Sequence, residues 1–172
     1  MAVWSRLRGR TVTLRLAEET DVAKLVRIRS TPEVQSRWRG DDLAAETRES
    51  IAAEDTAFYV IELDGRVAGA IQWSAEDDPD YRHASIDIYV DPALHGRGVG
   101  TDAVRTLAAH LIDDERFHRL VIDPAADNAP AIRCYAKVGF RPVGVMRQYE
   151  RDPTGWHDGL LMDLLAAELI RD

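Results

Sequence analysis

Hydrophobic and polar residues alternate along several short stretches of the chain, and this period of two predicts β-strands. The first stretch spans residues 11–16. A second stretch at 57–61 leads through Asp64-Gly65 into a third at 67–73, and Asp-Gly is a dipeptide that favours a two-residue hairpin turn. The remaining predicted strands lie at 86–90, 118–122, 144–149 and 156–165.

Other stretches place apolar residues at i, i+3, i+4 and i+7, the spacing of a helix that buries one face. These helices are predicted at 19–29, at 43–53 and from Thr101 to about Ile112. A shorter helix begins near Pro130, which suits a first turn, and Gly139 is its expected C-terminal cap. The element order predicts a single α+β domain over residues 1–172, with a core over about 11–165 and a mixed β-sheet flanked by helices.

The stretch from Ile86 to Val104 is typical of a strand, a glycine-rich turn and a helix. Gly96, Gly98 and Gly100 lack side chains, so the backbone can adopt unusual dihedral angles and approach a ligand closely. The following helix offers unpaired N–H groups and the positive end of its dipole, and both attract phosphate. The turn therefore indicates a pyrophosphate site, although it has neither the lysine of a Walker loop nor the G-x-G-x-x-G of a dinucleotide loop. A tight turn without a ligand is the alternative that the glycines alone leave open.

Composition narrows the class of protein. With 172 residues, of which 45% are hydrophobic and 30% charged, the chain suits one globular domain. No apolar run approaches the roughly 18 residues of a membrane span, and residues 1–10 lack the apolar segment of a signal peptide. We therefore expect a cytoplasmic protein that does not bind membranes.

The charge balance and the cysteine count narrow the partners. Thirty acidic residues outnumber 22 basic ones, which gives a net charge of −8. Nucleic acids prefer a basic surface, so we expect no nucleic-acid partner, whereas a cationic substrate is compatible with this charge. One cysteine and five scattered histidines provide neither an intramolecular disulfide nor zinc-ligand spacing, so we expect no metal.

Two motifs carry a resemblance to a known family. The run His95-Gly96-Arg97-Gly98-Val99-Gly100 resembles the acetyl-CoA pyrophosphate loop of the GCN5-related N-acetyltransferases (GNAT), whose pattern is Gln/Arg-x-x-Gly-x-Gly/Ala. Residues 127–140 resemble that family's Asn-x-x-Ala-x-x-x-Tyr-x-x-x-Gly-Phe segment, from Asn128 through Tyr135 to Gly139-Phe140. His95 departs from the usual first residue of the loop, which affects a side-chain contact rather than the backbone cradle. The resemblance extends over about residues 11–165.

The resemblance implies a mostly antiparallel sheet in which the strand before the loop and the strand ending near Asp123 splay apart. The pantetheine arm of acetyl-CoA would lie in that opening and pair with strand backbone. The cofactor-binding residues that it implies are Val90, His95, Gly96, Arg97, Gly98, Val99, Gly100, Thr101 and Asn128. For Asn128, capping of the helix before Pro130 is the alternative role.

Acetyl transfer to an amine needs a neutral nucleophile and a proton for the departing thiolate. A lysine-like amine has a pKa of about 10.4, so a base is useful at neutral pH. Asp87 is the candidate base, directly or through water, because it projects from the strand face opposite Ile86 and Ile88, shortly before the loop. Tyr135 matches the family's tyrosine and is the candidate general acid. The alternatives are a solvated carboxylate for Asp87 and a packing aromatic for Tyr135.

Three further residues could carry chemistry but are less well placed. His83 and His95 are alternative bases. Cys134 is interpreted as a packing residue, since the family's direct transfer needs no acyl-enzyme and no matched histidine accompanies the thiol.

The resemblance implies an acetyl-CoA-dependent N-acetyltransferase that transfers the acetyl group directly to a primary amine. A small amine such as an aminoglycoside or a polyamine is the first expectation, on the strength of Asp87, the segment 127–140 and the acidic net charge. In the branch that modifies the 6'-amine of aminoglycosides an acid occupies the corresponding strand position, here within Ser85-Ile86-Asp87. Residues 14–34 and 156–165 also look like the ribosomal-protein N-acetyltransferase branch, so a protein or peptide N-terminus is an alternative acceptor. A non-catalytic acyl-CoA sensor is a third interpretation, and a homodimer is compatible with the family.

Overall fold

Eight β-strands and five α-helices account for most of residues 5–172, the part of the chain that the computed structural model describes. The strands are β1 (Arg6–Arg8), β2 (Val12–Leu16), β3 (Thr56–Leu63), β4 (Arg66–Glu76), β5 (His83–Val90), β6 (Arg119–Ile122), β7 (Arg141–Asp152) and β8 (Gly155–Leu165). The helices are α1 (Val22–Arg29), α2 (Pro32–Gln35), α3 (Leu43–Ala52), α4 (Val99–Asp113) and α5 (Ala129–Ala136). Residues 1–4, which the single-domain prediction included, lie outside the described residues.

The strands form one open sheet in the order β1-β2-β3-β4-β5-β6-β8-β7. Within residues 5–172 every neighbouring pair is antiparallel except β5 and β6, which run parallel. These two strands pair only at Ala84 with Leu120 and at Ser85 with Val121, and beyond those residues they separate. The predicted α+β fold with a mixed sheet and a splayed central pair is confirmed, and an opening lies beside residues 86–90.

Helices cover both faces of the sheet. On one face α4 buries the apolar stripe that its spacing predicts, formed by Val104, Leu107, Ala108 and Leu111. On the other face α1 packs Leu25 and Ile28 against Phe58 of β3. Strand β5 contributes to both sides, with Ile86 in the first cluster and Tyr89 in the second. Over residues 5–172, none of the helices combines the length and the apolar character needed to cross a membrane.

Some element boundaries differ from those predicted. β1 was not predicted, because its sequence Arg-Leu-Arg has one apolar residue and its strand form depends on pairing with β2. β7 begins at Arg141 rather than Gly144, since residues 141–145 are exposed on both faces and carry no hydrophobic alternation. The predicted helix over 19–29 starts with a 3₁₀ turn, and α4 starts two residues before Thr101.

A buried carboxylate fixes the start of α4 against the first strands. Asp102, 6% exposed, accepts hydrogen bonds from the N–H groups of Arg10 (3.1 Å), Thr11 (2.8 Å) and Val12 (3.0 Å). Burial by itself would raise the pKa of Asp102, but these hydrogen bonds outweigh it and hold the pKa below its usual value. The helix that follows the glycine-rich loop is therefore held in place by an ionised group.

Candidate active site

The loop between β5 and α4 adopts the backbone that glycine permits at two of its three glycines. Gly96 and Gly98 have φ angles of 75° and 79°, in the left-handed region that other residues adopt only at a cost. Gly100 lies in the first turn of α4 with φ outside that region, so the expectation of an unusual backbone there is wrong. A Cβ at position 100 would lie 3.5 Å from Cys134 Sγ, an ordinary contact.

The N-terminus of α4 follows this loop without a side-chain cap. The first N–H groups of a helix have no acceptor within it, and here they belong to Val99, Gly100 and Thr101. The N–H group of Asp102 bonds within the helix, to Gly98 O at 3.0 Å. These N–H groups, which have no acceptor within the helix, and the helix dipole make the loop suitable for an anion.

A cleft of about 920 Å³ extends from the loop into the opening between β5 and β6. Asp91 N–H donates to Ala68 O on β4 at 2.7 Å. Because hydrogen bonds alternate between the two sides of a strand, the backbone groups of Ile88 and Val90 point away from β4 and into the opening. His95 Nε2 donates to Val90 O at 3.0 Å. The opening thus offers strand backbone to an elongated ligand, with His95 already on one carbonyl.

All but one of the predicted cofactor-binding residues line this cleft. They are Val90, His95, Gly96, Gly98, Val99, Gly100, Thr101 and Asn128. Arg97 instead lines a neighbouring cavity of about 280 Å³, together with Arg10, Arg105 and Lys137. Asp102 lines the same cavity, so that four cations outnumber one carboxylate on the outer side of the loop, in a chain whose net charge is −8.

Asn128 caps the start of α5. Its side-chain oxygen accepts from Ala131 N–H at 3.4 Å, and Pro130 occupies the first turn. The capping role that the sequence left open is therefore present, and Asn128 also faces the cleft.

Gly139 ends α5 as predicted and fixes the position of Tyr135. The N–H of Gly139 bonds to Ala136 O and the N–H of Phe140 to Tyr135 O, each at 3.1 Å. With Gly139 at a φ of 117°, these two bonds form the Schellman pattern, which usually brings a residue of the last turn against the residue after the glycine. The rings of Tyr135 and Phe140 accordingly meet edge to face, with centroids 6.3 Å apart.

Tyr135 lines the cleft with a protonated hydroxyl. The side chain is 8% exposed, and burial raises its pKa well above the usual value for tyrosine. The charges of Asp87 and Asp123 act in the same direction. At neutral pH the phenol therefore retains a proton that it can donate.

Asp87 lines the cleft from the face of β5 opposite Ile86, as predicted. Its Oδ2 accepts from Gln72 Nε2 at 3.3 Å. Solvent in the cleft reaches the carboxylate, but protein surrounds its other sides, and this burial raises its pKa. Asp123 raises the pKa further, whereas the hydrogen bond from Gln72 opposes the shift. A raised pKa makes Asp87 a better proton acceptor.

Three residues at the same end of the cleft, Asp123, Tyr149 and Glu150, were not among the predicted site residues. The Tyr149 hydroxyl donates to Asp123 Oδ2 at 2.7 Å, and this bond raises the pKa of Tyr149 to about 12. The ends of neighbouring parallel strands meet at one edge of a sheet, so topology could have placed Asp123 near Asp87. Tyr149 lies within a bulge of β7 between Met146 and Glu150, and Glu150 resumes the pairing, and the hydrophobic pattern gives no signal for this bulge.

The remaining candidates have other partners. His83 Nδ1 lies 2.7 Å from Tyr81 O, and His83 is absent from the described residues that line the cleft. Cys134 Sγ lies 3.3 Å from Thr101 Oγ1, and burial raises the pKa of the thiol. A thiol with a raised pKa is a poor nucleophile, which supports the interpretation of Cys134 as a packing residue.

Known proteins share this fold and these motifs. Residues 23–140 match the model of the acetyltransferase (GNAT) family. The aminoglycoside N(6')-acetyltransferase type 1 of Klebsiella pneumoniae is 31% identical over 156 residues, which cover 79% of this chain and 77% of the relative. The N-alpha-acetyltransferase RimI of Mycobacterium tuberculosis is 37% identical over 73 residues, 42% of this chain and 44% of that protein. The structure of AAC(6')-Ib in complex with paromomycin and acetyl-CoA matches with a TM-score of 0.77 at 28% identity, over 94% of this chain and 98% of that one.

The chain belongs to the GNAT family of acetyltransferases. Its membership makes it an enzyme of the acyltransferase class and confirms the family that the two motifs predicted.

Proposed function

We propose that this protein is an acetyl-CoA-dependent N-acetyltransferase whose acceptor is a primary amine of a small polycationic molecule, such as an aminoglycoside or a polyamine. The observation that carries the proposal is the polarity of the cleft. One end is an anion-binding loop, and the other, beside Asp87, gathers the carboxyl groups of Asp87, Asp123 and Glu150. We call this second end the acceptor end. The 31% identity to an aminoglycoside acetyltransferase supports the same substrate class.

The described residues fit acetyl-CoA. The left-handed glycines and the uncapped start of α4 suit its pyrophosphate, through N–H groups of Val99, Gly100 and Thr101 that are worth about 1.5–3 kcal/mol each when bonded to charge. The backbone of Val90 would pair with the pantetheine arm, and Asn128 borders the same path. His95, Gly96 and Val99 complete the loop wall, while Arg97 would approach a phosphate from the outer side. When bound, the co-substrate supplies the acetyl thioester.

Asp87 and Tyr135 divide the proton transfers between them. Asp87 accepts a proton from the acceptor's ammonium, directly or through one water, so that the nitrogen can form its bond to the acetyl carbon. Tyr135 holds a proton at its hydroxyl for the sulfur that departs as the carbon–sulfur bond breaks. The nitrogen loses its second proton as the amide forms, and this proton replaces the one that Tyr135 gave to sulfur. The proton on Asp87 passes to solvent through the open cleft, so that one proton is released per acetyl group transferred.

The N-terminus of a protein or peptide is the second candidate acceptor. The similarity to RimI favours it, but that match spans 42% of this chain, against 79% for the aminoglycoside acetyltransferase. The sensor alternative predicts binding of acetyl-CoA without turnover.

The proposal is tested by following thiol release from acetyl-CoA with aminoglycosides, polyamines and short peptides. Asp87→Asn and Tyr135→Phe are compared with two matched surface controls, Asp64→Asn in the β3–β4 turn and Tyr81→Phe, whose side chain is 73% exposed. We expect turnover on the polycationic amines that falls about 100-fold or more in the two site variants, with affinity for CoA retained. Turnover on peptides alone would replace the small-amine proposal, and binding without turnover on any amine would support the sensor.

Two other predictions accompany this function. We propose a homodimer formed through β7, the edge strand of the sheet, whose Val143 and Val145 are 54% and 58% exposed. Light scattering tests it, and a monomer mass at high protein concentration would contradict it.

The cytoplasmic location and the lack of nucleic-acid and membrane partners stay predictions from the sequence.

A further inference from the structure

A short segment after α2 crosses the acceptor end of the cleft. We call residues 36–40 the strap, and its Arg37, Trp38 and Arg39 all line the cleft. Trp38 anchors the middle of the strap, since its ring packs edge to face on Tyr89 with centroids 4.8 Å apart. The strap therefore has a fixed centre and a cation on each side of it.

The backbone of the strap is held from behind by a buried arginine. Arg29, 6% exposed, donates through Nη2 to Trp38 O (3.4 Å), Arg39 O (3.3 Å) and Glu46 Oε2 (2.9 Å). Because these contacts are partly buried, salt screens them less than it screens fully exposed charges. The anchor thus belongs to the N-terminal half of the sheet and to the helices that cover it.

The two strap arginines reach across the cleft to the other half of the protein. Arg37 Nη1 lies 2.8 Å from Asp127 Oδ1, just before α5, and Arg39 Nη2 lies 3.0 Å from Glu150 Oε1 on β7. The side chains are 39% and 78% exposed in the first pair and 30% and 40% exposed in the second. Such surface ion pairs contribute little net stability, about 0–1 kcal/mol each, so another cation can replace the arginine at low cost.

We propose that Arg37 and Arg39 occupy positions that the acceptor's additional cationic groups take when it binds, so that an amine carrying more than one positive charge opens the strap. The inference rests on the proposed function and deepens it. A polycation offers one ammonium group to Asp87 and another to Glu150 or Asp127, and it thereby releases the strap. A monoamine has no second charge with which to displace Arg39, and it leaves the strap closed.

The charges around the acceptor end favour this exchange. Asp87 and Asp123 have neutral hydrogen-bond partners, Gln72 and Tyr149, whereas Glu150 is paired with a cation of the strap. A substrate ammonium can therefore bind at Asp87 without displacing any cation of the described residues. Occupation of Glu150 by a second ammonium group requires Arg39 to leave.

The selectivity test compares 1,5-diaminopentane with pentylamine, two amines of equal length that differ by one charge. Arg39→Gln and Arg37→Gln are measured beside Arg48→Gln, which removes the same charge from an exposed pair with Glu19 (2.8 Å; 54% and 68% exposed) outside the cleft. We expect the ratio of kcat/KM for the diamine to that for the monoamine to rise by about three- to fivefold in Arg39→Gln, because the diamine no longer has to displace Arg39, whereas the monoamine binds at Asp87 in either protein. An equal change for both amines, or a change no larger than in Arg48→Gln, would overturn the proposal.

A second measurement does not depend on turnover. Amide hydrogen exchange of residues 36–40 is followed in the absence of acetyl-CoA, with and without each amine. The diamine should accelerate exchange several-fold in the wild-type protein, the monoamine should not, and the Arg37→Gln, Arg39→Gln double variant should exchange fast without either. Fast exchange with the diamine but no acetylation of any amine would refute the proposed function and support the strap, whereas unchanged exchange would refute the strap even if the enzyme is active.

Discussion

Replacement of Gly98 by alanine tests the link between the loop backbone and cofactor binding. Gly98 is the N-cap of α4 with φ 79° and ψ 5°, and an L side chain in this left-handed region costs about 1–2 kcal/mol. For a chain of this size the cost lowers Tm by about 2–8 °C if the loop keeps its shape. If the loop instead relaxes and one N–H group turns away from the pyrophosphate, the loss of about 1.5–3 kcal/mol weakens CoA binding roughly 10- to 100-fold.

Gly100→Ala is the matched control, because it adds the same methyl group two residues later. Its backbone is helical, its Cβ would lie 3.5 Å from Cys134 Sγ and 3.8 Å from Val90 Cγ2, and alanine in a helix is favoured over glycine by up to about 1 kcal/mol. We expect Tm to stay the same or rise and CoA affinity to change less than threefold. Titration calorimetry with CoA and thermal unfolding measure both quantities. A Gly98→Ala protein that matches the wild type in both, or a Gly100→Ala protein that binds CoA more weakly than Gly98→Ala, would refute this account of the loop.

Three further substitutions test the electrostatics of the site and its support. Asp87→Asn should raise Tm at pH 7 while activity is lost, because the pKa of Asp87 is raised in the folded protein and its ionised form is therefore disfavoured there. The gain in Tm should vanish below about pH 4, where Asp87 is protonated in the folded and the unfolded protein. A lower Tm at pH 7 would contradict the raised pKa. Asp102→Asn should lower the free energy of unfolding by roughly 2 kcal/mol at pH 7. The lowered pKa of Asp102 gives stability that is present above about pH 4 and lost as the pH falls through the pKa of the folded protein. Urea unfolding at pH 7 and pH 3 checks this, and an equal loss at both pH values would count against an ionised group. Tyr149→Phe removes a hydrogen bond from Asp123. We expect KM for polycationic amines to rise several-fold, with little effect on CoA affinity. A constant KM in steady-state kinetics would disprove this.

Much of the site follows from local sequence patterns. The period of two in β5 places Asp87 on the face opposite Ile86, and the glycine spacing indicates the turn that Gly96 and Gly98 make. The stripe of α4 and the cap at Gly139 also depend on residues close in sequence, so the sequence predicts them. These features are local because a strand's faces and a helix's ends are set within a few residues.

Apart from Asp87, the acceptor end depends on contacts between distant parts of the chain, which explains why the sequence did not predict the rest of it. Tyr149 reaches Asp123 across 26 positions, and it faces the cleft because Gln148 takes a φ of 50° within a bulge of β7. The strap arginine Arg37 pairs with Asp127, 90 positions away. Neither contact leaves a hydrophobic period, and charged residues at such positions are usually solvated.

The central claim is that the protein moves an acetyl group from acetyl-CoA to an amine nitrogen of a polycationic acceptor. The most direct measurement is mass spectrometry of the acceptor after incubation with acetyl-CoA, with thiol release quantified in the same sample. We predict N-acetylated aminoglycoside or polyamine in a one-to-one ratio with free CoA, and almost none with Asp87→Asn. Thiol release without acetylated acceptor, or acetylated acceptor at the same rate with Asp87→Asn, would contradict the account.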